Sequence, residues 1–234
     1  MRNYSVVIRC RNEEHSLADT LESLKRQTMP PTSVILVNNN STDNSTVIAK
    51  QYGCLIIEYP SGVIFNYSKA LNIGIKAGDT PLVMLLSAHC PLATYDSAES
   101  LLAVFQLFNP VGVYGRQLPT VNSNAIDTRD LLTVFGRERI IYETHPFFHN
   151  AFSMIIKKAW EATPFDETIN GIEDRVWAQS VVNHGGKIVY EPSAMVFHEH
   201  GLNQGSDEAR ALRVCKSLYQ LHKDDVFTYP HLLQ

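Results

Sequence analysis

Five short apolar runs rich in β-branched residues, at 6–8, 34–37, 55–57, 83–86 and 111–114, alternate with segments of helical period. That alternation constrains the fold more than any other feature of the chain. None of the runs switches cleanly between apolar and polar side chains, which predicts strands buried on both faces, as in a parallel sheet. Between them, Leu17, Leu21 and Leu24 recur at helical spacing after Asn12-Glu13-Glu14, which reads as a helix start. Thr42-Asp43 open a second helix carrying Val47, Ile48 and Tyr52 and stopped by Gly53. Tyr67, Ala70, Leu71 and Gly74 mark a third that ends near Gly78, and Leu101, Leu102, Phe105 and Phe108 a fourth that ends before Pro110. The pattern predicts an α/β fold with a mostly parallel, doubly wound central sheet flanked by helices.

The rhythm breaks after about residue 115. Residues 116–149 carry charges, Asn and aromatics with little periodicity, which predicts a lid or acceptor loop. Residues 152–156 and 188–190 read as further strands, 174–184 as a helix, and 207–223 as a last helix with Ala211, Cys215, Leu218 and His222 on one face. No repeat, linker or low-complexity tract divides the chain, so residues 1–234 are expected to form one domain with halves meeting near residue 115. A 234-residue chain can bury about 70% of its surface, enough for a core without disulfides or metals. Hydrophobic residues at 44%, charged residues at 19% and a mean hydropathy of −0.11 exclude a disordered or membrane-spanning class. A net charge of −4 argues against nucleic acid as a partner, although a few local cations suffice for a small anion. Cys10, Cys54, Cys90 and Cys215 form no CxxC pair and read as reduced thiols. The opening MRNYSVVIRC holds an apolar run too short for a signal peptide, and cytoplasmic residence is expected.

In an open α/β sheet, ligands bind beyond the carboxyl ends of the strands. Here those positions are Arg9-Cys10-Arg11-Asn12-Glu13-Glu14, the run from Asn38 through Ser45, and Ser87-Ala88-His89-Cys90. Each alone is explained by turn and cap chemistry, which suffices for Asn38 and Asn40. Capping does not call for two arginines and three consecutive asparagines on one sheet edge, so the three clusters together predict a site.

The ordered set VVIRCRNEEHSLADTLESLKRQT, ILVNNNSTDNST, FNYSKALNIGIKAGD, the post-strand SAH and GIEDRVWAQSV resembles the family 2 glycosyltransferases of GT-A fold, over about residues 4–201. YGRQLP, FFHNAFSMI and EDRVWA resemble a bacterial rhamnosyltransferase-like branch. The resemblance implies a nucleotide-sugar half over residues 1–115 and an acceptor and base half over 116–234. It places Arg9, Cys10, Asn12 and Glu13 around the nucleobase and ribose, with Asn39 where an aspartate is usual and Asp43 retained. An amide both donates and accepts in one plane, so Asn39 suits the uracil or thymine edge of a UDP- or dTDP-type donor. Lys69 and Asn72 fall in the segment that lies near the diphosphate, Lys69 close to a helix start that favours anions.

The chain departs from the family at the metal motif, where Ser87-Ala88-His89 replaces Asp-x-Asp. Two readings follow: His89 and His198 bind Mn²⁺ or a similar divalent cation in place of Mg²⁺-type carboxylate ligands, or no metal binds and imidazoles with Arg116 or Lys69 neutralise the diphosphate. The resemblance also makes Glu173-Asp174 the acidic pair that supplies the general base of an inverting transfer, Asp174 being the usual position. Capping of a helix N-terminus by acids is the structural alternative. Trp177, one turn beyond Asp174, presents a ring to a sugar or fills the core. Arg116, Gln117, His149 and Asn150 face the donor sugar or the acceptor if the middle stretch folds over the site.

The expected function is thus transfer of a sugar from a nucleoside-diphosphate donor to a hydroxyl of a glycan or lipid-linked acceptor in surface polysaccharide synthesis. Peripheral contact at the inner face of the plasma membrane would involve Arg210, Arg213, Lys216 and Lys223, which a solvated helix face explains equally. A non-catalytic sugar-nucleotide or glycan-binding module is the rival. A nucleotidyltransferase and a dinucleotide dehydrogenase rank below it, because no glycine follows the first strand.

Overall fold

The computed structural model describes residues 3–199 and 208–221. Its chain order is β1 (Tyr4–Cys10), α1 (Leu17–Lys25), β2 (Ser33–Asn38), α2 (Ser45–Gln51), β3 (Leu55–Glu58), α3 (Tyr67–Ala77), β4 (Leu82–Ser87), α4 (Ser97–Phe108) and β5 (Gly112–Leu118). There follow α5 (Ala125–Val134), β6 (Ile140–Tyr142), β7 (Phe152–Ile156), α6 (Lys157–Ala162), α7 (Glu173–Asn183), β8 (Ile188–Phe197) and α8 (Glu208–Leu221). All the strands join one eight-stranded sheet of order β3-β2-β1-β4-β7-β5-β8-β6. β1, β2, β3 and β4 are parallel, β5 pairs parallel with β8, and β7 and β6 run against their neighbours. The sheet is mostly parallel, as the apolar runs predict.

Alternation along β1 explains the layering. Val6 and Ile8 join a core with α1, α2 and α4, whereas Val7 joins a second core with α3, α5, α6 and α7 on the opposite face. Each fully buried aliphatic side chain of this kind contributes about 1.5–3 kcal/mol. α3 approaches β1 closely because Gly74 has no side chain, and a Cβ there would run into Val7. At Gly115 a Cβ would strike the Phe152 ring and the Ala194 carbonyl, and the β5–β8 register shifts between Gly115 and Arg116.

The structure corrects two expectations. α1 starts at Leu17 rather than at Asn12, since Asn12 adopts a left-handed φ of 56° and its side chain accepts from the Thr42 N–H at 2.8 Å. The stretch 116–149 is not an open loop: it completes β5 and adds α5 and β6. Asn124 caps α5 by accepting from the N–H groups of Ile126 and Asp127, both at 2.9 Å, and β6 pairs with β8. Local capping and edge pairing supply the order that periodicity does not. His222 and Lys223 lie outside the described residues. Among the described residues, no helix is long and apolar enough to cross a membrane, and all four cysteines are unpaired.

Candidate functional site

At the carboxyl end of the sheet, the segment after β1 is laced to the segment after β2. The Asp43 carboxylate accepts from the Glu14 N–H at 2.9 Å and from the Ser45 N–H and hydroxyl at 3.0 and 2.6 Å. Desolvation works against its charge, but these donors prevail and hold the Asp43 carboxyl below its ordinary value. The Ser45 hydroxyl in turn accepts from the Glu13 N–H at 2.8 Å. Asn38 bonds Glu58 and the Ser41 N–H, and Asn40 takes φ 51°, so both serve the turn. Asn39 is nearly buried and ties β2 to β1 through its N–H and the Cys10 carbonyl. Cys10 itself is buried in the core and its thiol is pushed up, chiefly by desolvation, so it packs beneath this segment rather than presenting a reactive group.

A line of polar side chains crosses the strand ends from here. His89 Nδ1 lies 3.2 and 3.3 Å from the two Glu13 oxygens, and the His89 ring stacks on His198 at 5.3 Å between centroids. His198 Nδ1 is 2.6 Å from Gln117 Oε1, and Gln117 Nε2 is 3.0 Å from His149 Nδ1. The Ala151 N–H also reaches His149 Nδ1 at 3.2 Å. A backbone N–H only donates, so His149 Nδ1 is an acceptor. The Gln117 amide therefore turns its NH₂ to His149 and its carbonyl to His198, and His198 Nδ1 carries hydrogen. Glu13 likewise accepts from His89 Nδ1–H. In the neutral rings the lone pairs of His89 and His198 thus sit on Nε2, with a carboxylate and a buried amide orienting the rings from behind, as metal-binding histidines are commonly held. Ligand atoms of His89, His198 and Cys90 lie within 4.8 Å of one another. Two imidazoles and a sulfur fit a borderline divalent cation better than Mg²⁺, although burial pushes the Cys90 thiol up against ionisation.

The acidic end of the line is the head of α7. The Asp174 carboxylate accepts from the Asn150 N–H at 3.1 Å and from the Arg175 N–H at 2.8 Å. Glu173 is buried, accepts from Arg9 Nη1 at 3.3 Å, and receives the Gly171 N–H at 3.3 Å. Desolvation is the main cause that raises both carboxyls above their ordinary values. The Asp174 charge lifts Glu173 further, and Arg9 opposes the rise at each.

The structure thus brings Arg9, Glu13, Ser87, His89, Gln117, His149, Asn150, Glu173, Asp174 and His198 to one edge; the strand register sets Arg9 beside Ser87. Lys69 lies in the first turn of α3, its N–H bonded by the capping Asn66, and Arg116 donates from Nε to the Phe135 carbonyl at 3.1 Å. Two predicted site residues are reassigned. Asn72 spends its whole amide on the segment before α7: Nδ2 donates to the Phe165 carbonyl and Glu167, and Oδ1 accepts from Trp160 Nε1 and the Phe165 N–H. It holds that segment and has no valence left for a phosphate. Trp177 is buried against Phe148 and Phe165 and donates to the Thr163 carbonyl at 2.8 Å, so it is a core ring and not a sugar platform. Sequence reasoning missed Tyr67, Arg175 and Cys90. Only Cys90 carried a signal, its place next to His89.

The family model for glycosyl transferase family 2 matches residues 5–163 and stops short of α7. Among curated proteins, the chain is 27% identical over 190 residues to the O-antigen chain rhamnosyltransferase WbaN of Salmonella anatum, covering 76% of this chain and 60% of that one. It is 23% identical over 193 residues to RfbN, an O-antigen chain rhamnosyltransferase of Salmonella typhimurium, covering 78% and 62%. The chain spans about three fifths of the length of these relatives. Among solved structures, the mannosyltransferase PcManGT of Pyrobaculum calidifontis, in complex with GDP-Man and Mn²⁺, superposes with a TM-score of 0.70 at 15% identity, over 97% of this chain and 65% of that one. The matched model covers β1 through α6, more than half of the chain, and establishes that the chain belongs to glycosyl transferase family 2.

Proposed function

We propose that the protein transfers a sugar from a nucleoside-diphosphate donor to a hydroxyl of a glycan or lipid-linked acceptor, with inversion, in surface polysaccharide synthesis. The observation that carries this reading is the Asp174 carboxylate at the head of α7. Its two backbone donors occupy one lone pair on each oxygen and leave others to accept a proton. Desolvation raises its affinity for that proton, which suits a general base. As the acceptor oxygen attacks the anomeric carbon, its proton passes to Asp174 while the nucleoside diphosphate leaves from the opposite face. One base suffices, without the paired carboxylates of a hydrolase.

In this reading the half up to about residue 115 holds the donor. Asn12, Asn39 and Asp43 line the nucleoside side, Lys69 and Arg116 lie toward the diphosphate, and Gln117, His149 and Asn150 form the wall between donor and acceptor. His89 and His198, with Cys90 adjacent, would hold a divalent cation, which would supply charge neutralisation at the diphosphate. The relatives named for O-antigen rhamnosyl transfer support the pathway, and the nucleotide sugar with Mn²⁺ in the mannosyltransferase supports the donor class and the cation.

Asp174→Asn tests the core of this reading. It should leave the circular dichroism spectrum unchanged and lower kcat by a factor of about 10²–10⁴. Near-normal transfer in that variant would remove the assignment, and binding of the donor with no turnover in the wild type would favour a binding module instead.

A further inference from the structure

Arg9 lies next to the end of β1, among residues that the donor nucleotide is expected to cover, yet its guanidinium is engaged elsewhere. Nη1 lies 3.3 Å from Glu173 Oε1, and Cζ lies 4.7 Å from the centroid of the Tyr67 ring. The Arg9 side chain is 18% exposed and that of Glu173 only 6%. The Tyr67 N–H is bonded by Asn170 Oδ1, so the platform beneath the guanidinium is tied to the loop that leads into α7. A residue on the first strand is thus clamped between the helix that follows β3 and the head of the helix that carries the base.

The pairing addresses a specific electrostatic difficulty. Glu173 and Asp174 are consecutive carboxylates in a desolvated place, and each charge disfavours the other. The groups that face them are Arg9 from β1, itself stacked on Tyr67 of α3, Arg175 from α7, and the N–H groups of Asn150 and Gly171 from the preceding loops. Arg9 is the cation in direct contact with Glu173, while Asp174 accepts from the backbone N–H groups of Asn150 and Arg175. Resting on the reading of Asp174 as the base, we propose that Arg9 is a positioning residue. Through its ion pair and its stack on Tyr67, it holds Glu173 as the member of the pair that faces a cation and leaves Asp174 to take the acceptor's proton.

Two variants and two readouts test this. In Arg9→Met, ¹³C carboxyl NMR of the full chain without substrate should show Glu173 and Asp174 sharing one proton, with the upper midpoint moved up by about 1–3 pH units. The acid limb of kcat should move in the same direction, with donor KM changed less than about twofold. Arg9→Lys keeps the charge and should recover most of both shifts. If Arg9→Met does not fold, Tyr67→Leu, which weakens the stack, should produce a smaller shift of the same sign. An unchanged carboxyl titration in a folded variant overturns the inference. So does a raised donor KM with an unmoved acid limb, which would make Arg9 a nucleotide ligand. A wild type that transfers no sugar defeats the proposed function, while the substrate-free titration still decides whether Arg9 governs the pair.

Discussion

The two ends of the polar line across the strand ends solve opposite problems. At the imidazole end, Glu13, His89, His198, Gln117 and His149 form a chain in which each known Nδ1 has a definite donor or acceptor role. These bonds orient the rings, which suits groups whose task is to hold a position. At the acidic end, Glu173 and Asp174 are desolvated side by side, with Arg9 as the direct ion-pair partner of one of them. That end is poised to gain a proton. The difference teaches that one line of side chains can be preorganised at one side and electrostatically uneasy at the other, and the uneasy side is the one suited to the proposed proton transfer.

If the two ends are separate in function, their variants should fail in different ways. The largest effect expected is the loss of about 10²–10⁴ in kcat for Asp174→Asn, and added Mn²⁺ should not restore it. Rescue by Mn²⁺ would merge the ends and break the distinction. Next, wild-type transfer should fall in EDTA and return with Mn²⁺. Gln117→Leu, which removes the acceptor of His198 and the donor to His149, should weaken apparent cation affinity by about 10–100-fold while leaving the acid limb of kcat in place. Full activity in EDTA would instead leave the imidazoles, Lys69 and Arg116 to neutralise the diphosphate directly.

A smaller effect concerns stability. Because both carboxyls at the head of α7 are raised on folding, the folded protein retains protons there that the unfolded chain has released, and their contribution to stability falls as pH rises from about 4 through the raised values. The Glu173→Gln/Asp174→Asn double variant lacks this contribution and should show the flatter profile in urea melts over that range. Equal slopes would mean that the acidic end is not under strain. The smallest effect is expected one turn further along α7. Trp177→Phe removes the bond to the Thr163 carbonyl and should cost about 1–3 kcal/mol in the same melts, with transfer kept within about twofold. A tenfold loss of transfer in a folded Trp177→Phe would return the ring to the sugar.

Much of this was legible in the residues. The apolar runs at 6–8, 34–37, 83–86 and 152–156 became β1, β2, β4 and β7, because a strand buried on both faces must be apolar whatever its neighbours. The pair Glu173-Asp174 and the two histidines 89 and 198 were visible as chemistry. Asn72 and Trp177 were misjudged because an amide and an indole have the same appearance in sequence whether they meet a ligand or a backbone carbonyl from a distant segment. Phe165 and Thr163, the partners that decide, come from other parts of the chain. The stretch 116–149 hid α5 and β6 because a capping Asn124 and pairing to β8 leave almost no periodic trace.

The sequence by itself determined the alternation of strands and helices and the edge of the sheet on which polar residues gather, since these follow from local period and residue type, whereas the acidic pair was singled out by the family resemblance. Only the tertiary structure decided how those residues are partnered. Arg9 reaches Glu173 across 164 residues of chain, and Gln117 reaches His198 across 81. Hydrogen bonds and ion pairs act over a few ångströms, and which side chains come that close is fixed by the packing of the sheet and its helices, not by any spacing along the chain.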